Sequence, residues 1–236
     1  MNVKNEIRYR IGRALGAFGY ELRPAWKIPQ GNIHPLNLAI DLLLARQGGS
    51  IDTVVQVGVF DGVTGDPLSP KVFKVARSII LIEPQPSCVH LLRERYKDDA
   101  RVVVIDAAIA DQEGEITLYA ESGSSQRASV SRAHVEKFAG GHAAVSHQVK
   151  CITPLSLYRM FRDKAPDLLQ VDTEGMDWTI IAALLGVGCF PRVVNFESFH
   201  LAEDQRRESR RLLAHYGYGF IEYQYDTCAV HGSLLK

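Results

Sequence analysis

From Thr53 onward, short unbroken apolar runs alternate with stretches in which apolar residues recur every three or four positions. The runs Thr53–Gly58 (TVVQVG), Ser78–Glu83 (SIILIE), Arg101–Asp106 (RVVVID), Asp167–Asp172 (DLLQVD) and Arg192–Glu197 (RVVNFE) are rich in β-branched residues and too short for helices. Each predicts a strand. The spacing predicts helices over Pro35–Arg46, Pro67–Ala76, Pro86–Tyr96, Asp177–Leu185 and Ala202–His215, the first ended by Gly48 and Gly49. A pair of strands, Gly219–Tyr225 and Cys228–Gly232, closes the chain. A strand that is apolar along its whole length must be covered on both faces, so the alternation predicts an α/β protein with a mainly parallel, doubly wound sheet and helices on both faces.

Two regions depart from this rhythm. Near the N-terminus Val3, Ile7, Ile11, Leu15 and Phe18 fall at helical spacing, with Lys4, Arg8, Arg10 and Arg13 on the other faces. Residues 1–34 are expected to be a helical extension and 35–236 the main domain. The basic amphipathic helix could cover the domain's own core, lie on an anionic membrane surface or dock on a partner, including a second copy of the chain. The other region, Glu121–Lys150, holds six serines, three glycines and three histidines with little periodicity beyond a helix near Arg132–Phe138. Following the third strand, it is either a cover over a ligand at the strand ends or a surface loop.

Composition narrows the function. Lys+Arg and Asp+Glu both number 27, so the net charge is zero and no basic nucleic-acid surface is indicated. A protein that handles a small or neutral substrate is expected instead. The cysteines Cys88, Cys151, Cys189 and Cys228 are far apart without zinc-ligand spacing, and read as free thiols of a reducing compartment. No apolar run is long enough to span a bilayer and the N-terminus lacks a signal-peptide core, so a cytoplasmic location is expected.

The chemistry concentrates at the strand ends. In Val54–Pro67 (VVQVGVFDGVTGDP) a buried strand runs into a turn holding Gly58, Asp61, Gly62 and Gly65, where bare backbone can approach a ligand. The turn lacks a P-loop lysine and the spacing of a dinucleotide fingerprint. The second strand ends in Glu83 and Pro84, placing a carboxylate to accept hydrogen bonds from ribose hydroxyls. The third ends in Asp106, Ala107 and Ala108, where an acid can accept from an adenine amine and small residues admit a flat ring. In a parallel sheet these tips lie side by side, and together they predict an adenosyl-cofactor site.

The segments VQVGVFDGVTGDPL, LIEPQPSCVHLLRERY, VVVIDAAIADQEGEITLY and LLQVDTEGMDW resemble the FkbM-type methyltransferases in order and spacing over about Thr53–Glu197. Asp172, Glu174 and Gly175, together with the Ala108, Asp111 and Gly114 hairpin, carry the most specific part of the likeness. The resemblance implies a Rossmann-like class I methyltransferase with a seven-stranded sheet whose last strand is antiparallel. It implies S-adenosylmethionine (SAM) as methyl donor and, usually, O-methylation of a hydroxyl on a sugar, polyketide or similar metabolite. Gly58 and Asp61 would then sit near the methionine part, Glu83 at the ribose and Asp106 near adenine. The family usually has an acid where this chain has Gln56, so Asp61 is expected to carry more of the contact with the cofactor ammonium. Gln56 also favours an alternative, a catalytically inactive methyltransferase-fold binding or scaffold protein.

The acceptor side is expected at Asp172 and Glu174 on one strand end and Glu197 and His200 on the next. His200 suits a general base at neutral pH, and a carboxylate pair suits Mg²⁺. Each has a structural alternative: Glu174 capping the helix near Met176, Asp172 anchoring a turn, His200 on the surface. His134, His142 and His147 are assigned no role unless their segment closes over the substrate.

Overall fold

The computed structural model describes residues 34–64, 66, 68, 70–121, 125–138, 144–161 and 164–235, and the helix expected over the first 33 residues lies outside them. Residues Pro35–Lys236 form one compact unit. In chain order its first half comprises α1 (Pro35–Arg46), β1 (Ile51–Val57), α2 (Pro70–Val75), β2 (Ala76–Glu83), α3 (Pro86–Arg95), β3 (Val102–Asp106), β4 (Ala108–Ile109) and β5 (Gly114–Ala120). The second half comprises α4 (Arg132–Phe138), β6 (Val145–Ile152), α5 (Pro154–Met160), β7 (Leu168–Val171), α6 (Asp177–Gly186), β8 (Val193–Glu197), α7 (Glu203–His215), β9 (Tyr218–Tyr223) and β10 (Asp226–His231).

Seven strands form one sheet in the order β3-β2-β1-β7-β8-β10-β9. β3, β2, β1, β7 and β8 are parallel, and the last strand, β10, runs antiparallel between β8 and β9. Side chains alternate across the pleat, so each continuous apolar run feeds two cores. Val55, Leu169 and Val194 face one side, packed with Trp178, Ile181 and Leu184 of α6 and Leu157 of α5. Val54, Leu168 and Val193 face the other, packed with Leu36, Ile40 and Leu43 of α1, Val72 of α2 and Leu92 of α3. From β1 the chain moves outward to β3, then returns to β7 on the opposite side of β1. This reversal opens a crevice at the carboxyl ends of β1 and β7, where doubly wound sheets bind ligands.

Two sequence expectations change. The helix expected over Pro67–Ala76 shrinks to α2, because Ala76 already pairs with Ile51 at the start of the β2 ladder. The segment Glu121–Lys150 is not irregular throughout. Its end enters β6, which pairs antiparallel with β5 and parallel with β4 in a second, three-stranded sheet. The strand escaped detection because it is exposed at four successive positions, Val145–Gln148, and so lacks an apolar face.

Candidate active site

The crevice encloses about 240 Å³. Its floor is the β1–α2 turn. Gly58 adopts φ +78, and a Cβ there would lie 1.7 Å from the carbonyl oxygen of Asp172, so only glycine lets the tips of β1 and β7 approach this closely. The Phe60 amide, at the head of the same turn, donates to Glu83 Oε2 at 2.8 Å, while Gln85 donates to Oε1 from its backbone at 2.9 Å and its side chain at 3.2 Å. Glu83 is 2% exposed and lines the crevice. Burial pushes its carboxyl above the usual range, against the amides of Gln85 and Phe60 that pull it down.

Gln56, Gly58, Glu83, Pro84, Ala107 and Ala108 all line this space. Two residues expected there do not. Asp61 turns inward on its own loop: Oδ1 accepts from the Val63 and Thr64 amides at 2.9 and 2.7 Å, and Oδ2 from the Thr64 hydroxyl at 2.7 Å. It holds the turn, as aspartates in such loops do. Asp106 pairs in register with Glu83, but β3 ends there and the chain passes into the crevice wall one residue later, at Ala107. The wall beyond β3 is therefore apolar, formed by Ala107, Ala108, Ile109 and Leu118.

The carboxylate missing at position 56 reappears at Asp66. Gln56 Nε2 donates to Asp66 Oδ1 at 3.2 Å, both residues line the crevice, and Gln56 Oε1 is buried without a hydrogen-bond partner. Burial raises the Asp66 carboxyl above its ordinary value, opposed by the Leu68 amide and Gln56.

The serine-rich segment forms a wall of the crevice through Gln126, Arg127, Ala128 and Ser129. It is tied down at both ends. Gln85 and Ser125 exchange two hydrogen bonds at 2.9 and 3.0 Å, and the Ser129 hydroxyl donates to the Glu174 carbonyl at 2.8 Å.

The opposite wall carries the acceptor-side acids. Asp172 and Glu174 follow β7 and line the crevice. Glu174 has φ 54, a left-handed conformation unusual outside glycine, asparagine and aspartate. Glu174 is not a helix cap: Met176 holds the N-cap position without a side-chain hydrogen bond, and Asp177 in the first helical turn braces the preceding turn, its carboxylate accepting from the Thr173 and Gly175 amides at 3.1 Å each. Glu197 and His200 sit behind this wall, 3.5 Å apart, and do not line the crevice. The residue that sequence reasoning set aside is His134, whose Nε2 lies 3.1 Å from Glu174 Oε2 and whose ring meets that of His200 edge to face at 4.9 Å. His147, on β6, is exposed, and His142 lies outside the described residues.

Crowding of acids perturbs them strongly. Burial, with Asp177, Glu174 and Asp226 nearby, pushes Asp172 up to about 7. Burial, with Asp172, Glu174, Asp177 and Asp226, pushes Glu197 up to about 8. Burial raises Asp177 to about 6 against its amide hydrogen bonds. Of the three, Asp172 lines the crevice, and a strongly shifted acid in a cleft is a candidate functional group.

The Mg²⁺ expectation gains no support from this donor set. The ligand atoms of Asp172, Glu174 and Glu197 lie within 4.8 Å of one another, but so do those of His134, Glu174 and His200. Nitrogen donors at the shared carboxylate do not suit an ion that demands oxygen.

The strand order, the single antiparallel strand and the crevice at the β1/β7 reversal define a class I methyltransferase fold. The model of the methyltransferase FkbM domain matches residues 56–220. The chain belongs to the FkbM methyltransferase family. The crystal structure of methyltransferase FkbM from Methylobacillus flagellatus KT is 16% identical with a TM-score of 0.47, the match covering 76% of this chain and 43% of that one. The chain thus spans less than half the length of that protein. An rRNA methylase from Streptococcus thermophilus is 9% identical with a TM-score of 0.49, covering 84% of this chain and 97% of that one. An O-methyltransferase from Bacillus cereus, in complex with SAH (S-adenosylhomocysteine), is 11% identical with a TM-score of 0.41, covering 98% and 91%. Comparison with curated proteins finds no match. No helix among the described residues is long and apolar enough to cross a membrane, and the four cysteines are buried and form no disulfide.

Proposed function

We propose that the protein is a SAM-dependent O-methyltransferase acting on a hydroxyl of a small molecule or glycan. The observation that carries this reading is one crevice with a buried ribose-type acceptor, Glu83, on one wall and ionisable acids, Asp172 and Glu174, on the other.

The residues present fit the cofactor. Glu83 already accepts three hydrogen bonds and keeps capacity on Oε2 for a ribose hydroxyl, the apolar wall from Ala107 to Ile109 takes the adenine, and Gln56 Oε1 is an orphaned acceptor that an ammonium would satisfy. Asp66 beside it offers a carboxylate in place of the acid the family usually has at position 56, which supports the catalytic reading over the inactive scaffold. When bound, SAM supplies an electrophilic methyl group on a sulfonium, and the electron pair of the broken carbon–sulfur bond stays on sulfur.

Asp172 takes the acceptor proton. It lines the crevice and is half-ionised near neutral pH, where a general base works best. His200, the base expected from sequence, does not line the crevice and stands beside Glu197 instead. Ser129 and the segment around it exclude water from the reacting groups.

The test is calorimetric titration with SAM and SAH, followed by transfer from radiolabelled SAM to a panel of hydroxyl and amine acceptors. Undetectable binding of both at millimolar ligand rejects the reading. Tight binding with no transfer to any acceptor favours the scaffold alternative, and transfer to amines alone corrects the acceptor class.

A further inference from the structure

Behind the acceptor wall, four separate pieces of chain deliver imidazoles and carboxylates to one point. The helix α4 brings His134, the turn after β7 brings Asp172 and Glu174, the end of β8 brings Glu197, and the following loop brings His200. The donor atoms of His134, Glu174 and His200 all lie within 4.8 Å of one another. In a metal complex with bonds of about 2.1 Å, neighbouring donor atoms stand roughly 3.0–3.5 Å apart. His134 Nε2 and Glu174 Oε2 already have this separation, 3.1 Å, and the His200 donor atom lies within 4.8 Å of both.

We infer that His134, Glu174 and His200 bind a divalent first-row transition-metal ion of the Mn²⁺, Co²⁺ or Zn²⁺ kind, with Asp172 and Glu197 as flanking oxygen donors.

The site is built. Glu174 is held in its left-handed conformation from both sides, by Ser129 on its carbonyl and by Asp177 on the amides of Thr173 and Gly175. A backbone locked against its preference fixes where the carboxylate points. His134 packs directly on the bare backbone of Gly175, where a Cβ would come within 3.2 Å of its Nδ1. Glu197, whose Oε1 lies 3.5 Å from His200 and which offers a ligand atom within 4.8 Å of those of Asp172 and Glu174, has its Oε2 sealed from solvent without a hydrogen bond, a buried carboxylate oxygen with coordination to offer. Two imidazoles with a carboxylate select borderline transition ions over Mg²⁺ and Ca²⁺, which keep oxygen shells.

The role of the ion rests on the proposed hydroxyl methylation: a cation at Glu174, which lines the crevice, would lower the pKa of an acceptor hydroxyl placed against Asp172. Its existence does not rest on that reading.

The full chain, stripped with chelator, is titrated with Zn²⁺, Co²⁺, Mn²⁺ and Mg²⁺. One equivalent of Zn²⁺ or Co²⁺ is expected to bind at least about 100-fold more tightly than Mg²⁺, the Co²⁺ form showing visible d–d absorption. His134→Ala and His200→Ala are each expected to weaken Co²⁺ binding by at least about tenfold, a loss usual even for residues outside the ligand set, with His147→Ala unchanged. Mn²⁺ bound to the unmodified protein should show spin-echo modulation from imidazole nitrogen, a readout independent of whether the variants fold. No stoichiometric binding, absence of the nitrogen signal, or Mg²⁺ binding that is equally tight and indifferent to both histidines overturns the inference. SAH titrated into the same samples separates the two readings: SAH binding without metal binding sinks only the ion, and metal binding without SAH binding sinks only the methyltransferase.

Discussion

The Ser129 hydroxyl donates to the backbone carbonyl of Glu174 at 2.8 Å, joining the serine-rich segment to the strained turn that carries the acceptor-side acids. One hydrogen bond therefore couples the cover of the crevice to its chemistry. Ser129→Ala leaves a buried carbonyl unsatisfied, at a cost of about 1–3 kcal/mol. A thermal melt should show Tm lower by roughly 3–10 °C for a chain of this size. Turnover should fall more than SAH affinity, because Glu83 and Gln56 are untouched. An equal loss of both contradicts this assignment.

Glu83→Gln keeps the shape of the side chain and removes its charge. Charged acceptors contribute about 1.5–3 kcal/mol to a hydrogen bond, so SAH affinity is expected to fall by roughly 10- to 100-fold in calorimetry. Asp106→Asn, outside the crevice lining, should leave it within about twofold.

Restoring the family's usual acid with Gln56→Glu should not improve the enzyme. It would set a second carboxylate about 3 Å from Asp66 in a buried place, where like charges repel strongly. The variant is expected to melt lower than the parent and to bind SAM no better. Asp66→Asn, by contrast, should weaken SAM by about tenfold or more. A tighter SAM complex for Gln56→Glu would return the ammonium contact to position 56.

The acids behind the acceptor wall predict how stability depends on pH. The carboxyls of Asp172, Asp177 and Glu197 are raised in the folded chain to about 7, 6 and 8. Between their unfolded values near 4 and these folded values the native state holds more protons than the unfolded one. Stability is therefore fully present below about pH 4 as far as these groups act, and is lost as pH rises through 6 to 8. Thermal melts of chelated protein should decline over that window by on the order of 5 °C, and Glu197→Gln should flatten the decline. A parent melting temperature that rises from pH 5 to 8 refutes the shifts.

Much of this fold was legible because a buried parallel strand announces itself. Val54, Val55 and Val57 are apolar whichever face they meet, and the five parallel strands all appeared as such runs. β6 did not, since Val145–Gln148 are exposed and nothing in their order separates a strand from a loop. The lining of the crevice was readable where a residue's place at a strand tip decides its direction, as for Gly58 and Glu83. It failed for Asp61, whose side chain satisfies its own turn, and for Asp106, which ends its strand one residue before the wall. Asp66 and His134 could not be found in advance. Their value comes from Gln56 and Glu174, ten and forty positions away along the chain.

The contact between Gly58 and the carbonyl of Asp172 leaves the two halves of the crevice sharing a partition a single backbone thick. Neither side can be remodelled alone: a displacement of the acid-bearing turn is transmitted at once to the bend that seats the donor. The serine-rich cover is drawn into the same linkage, since Ser125 holds the Gln85 that holds Glu83 and Ser129 holds the turn of Glu174.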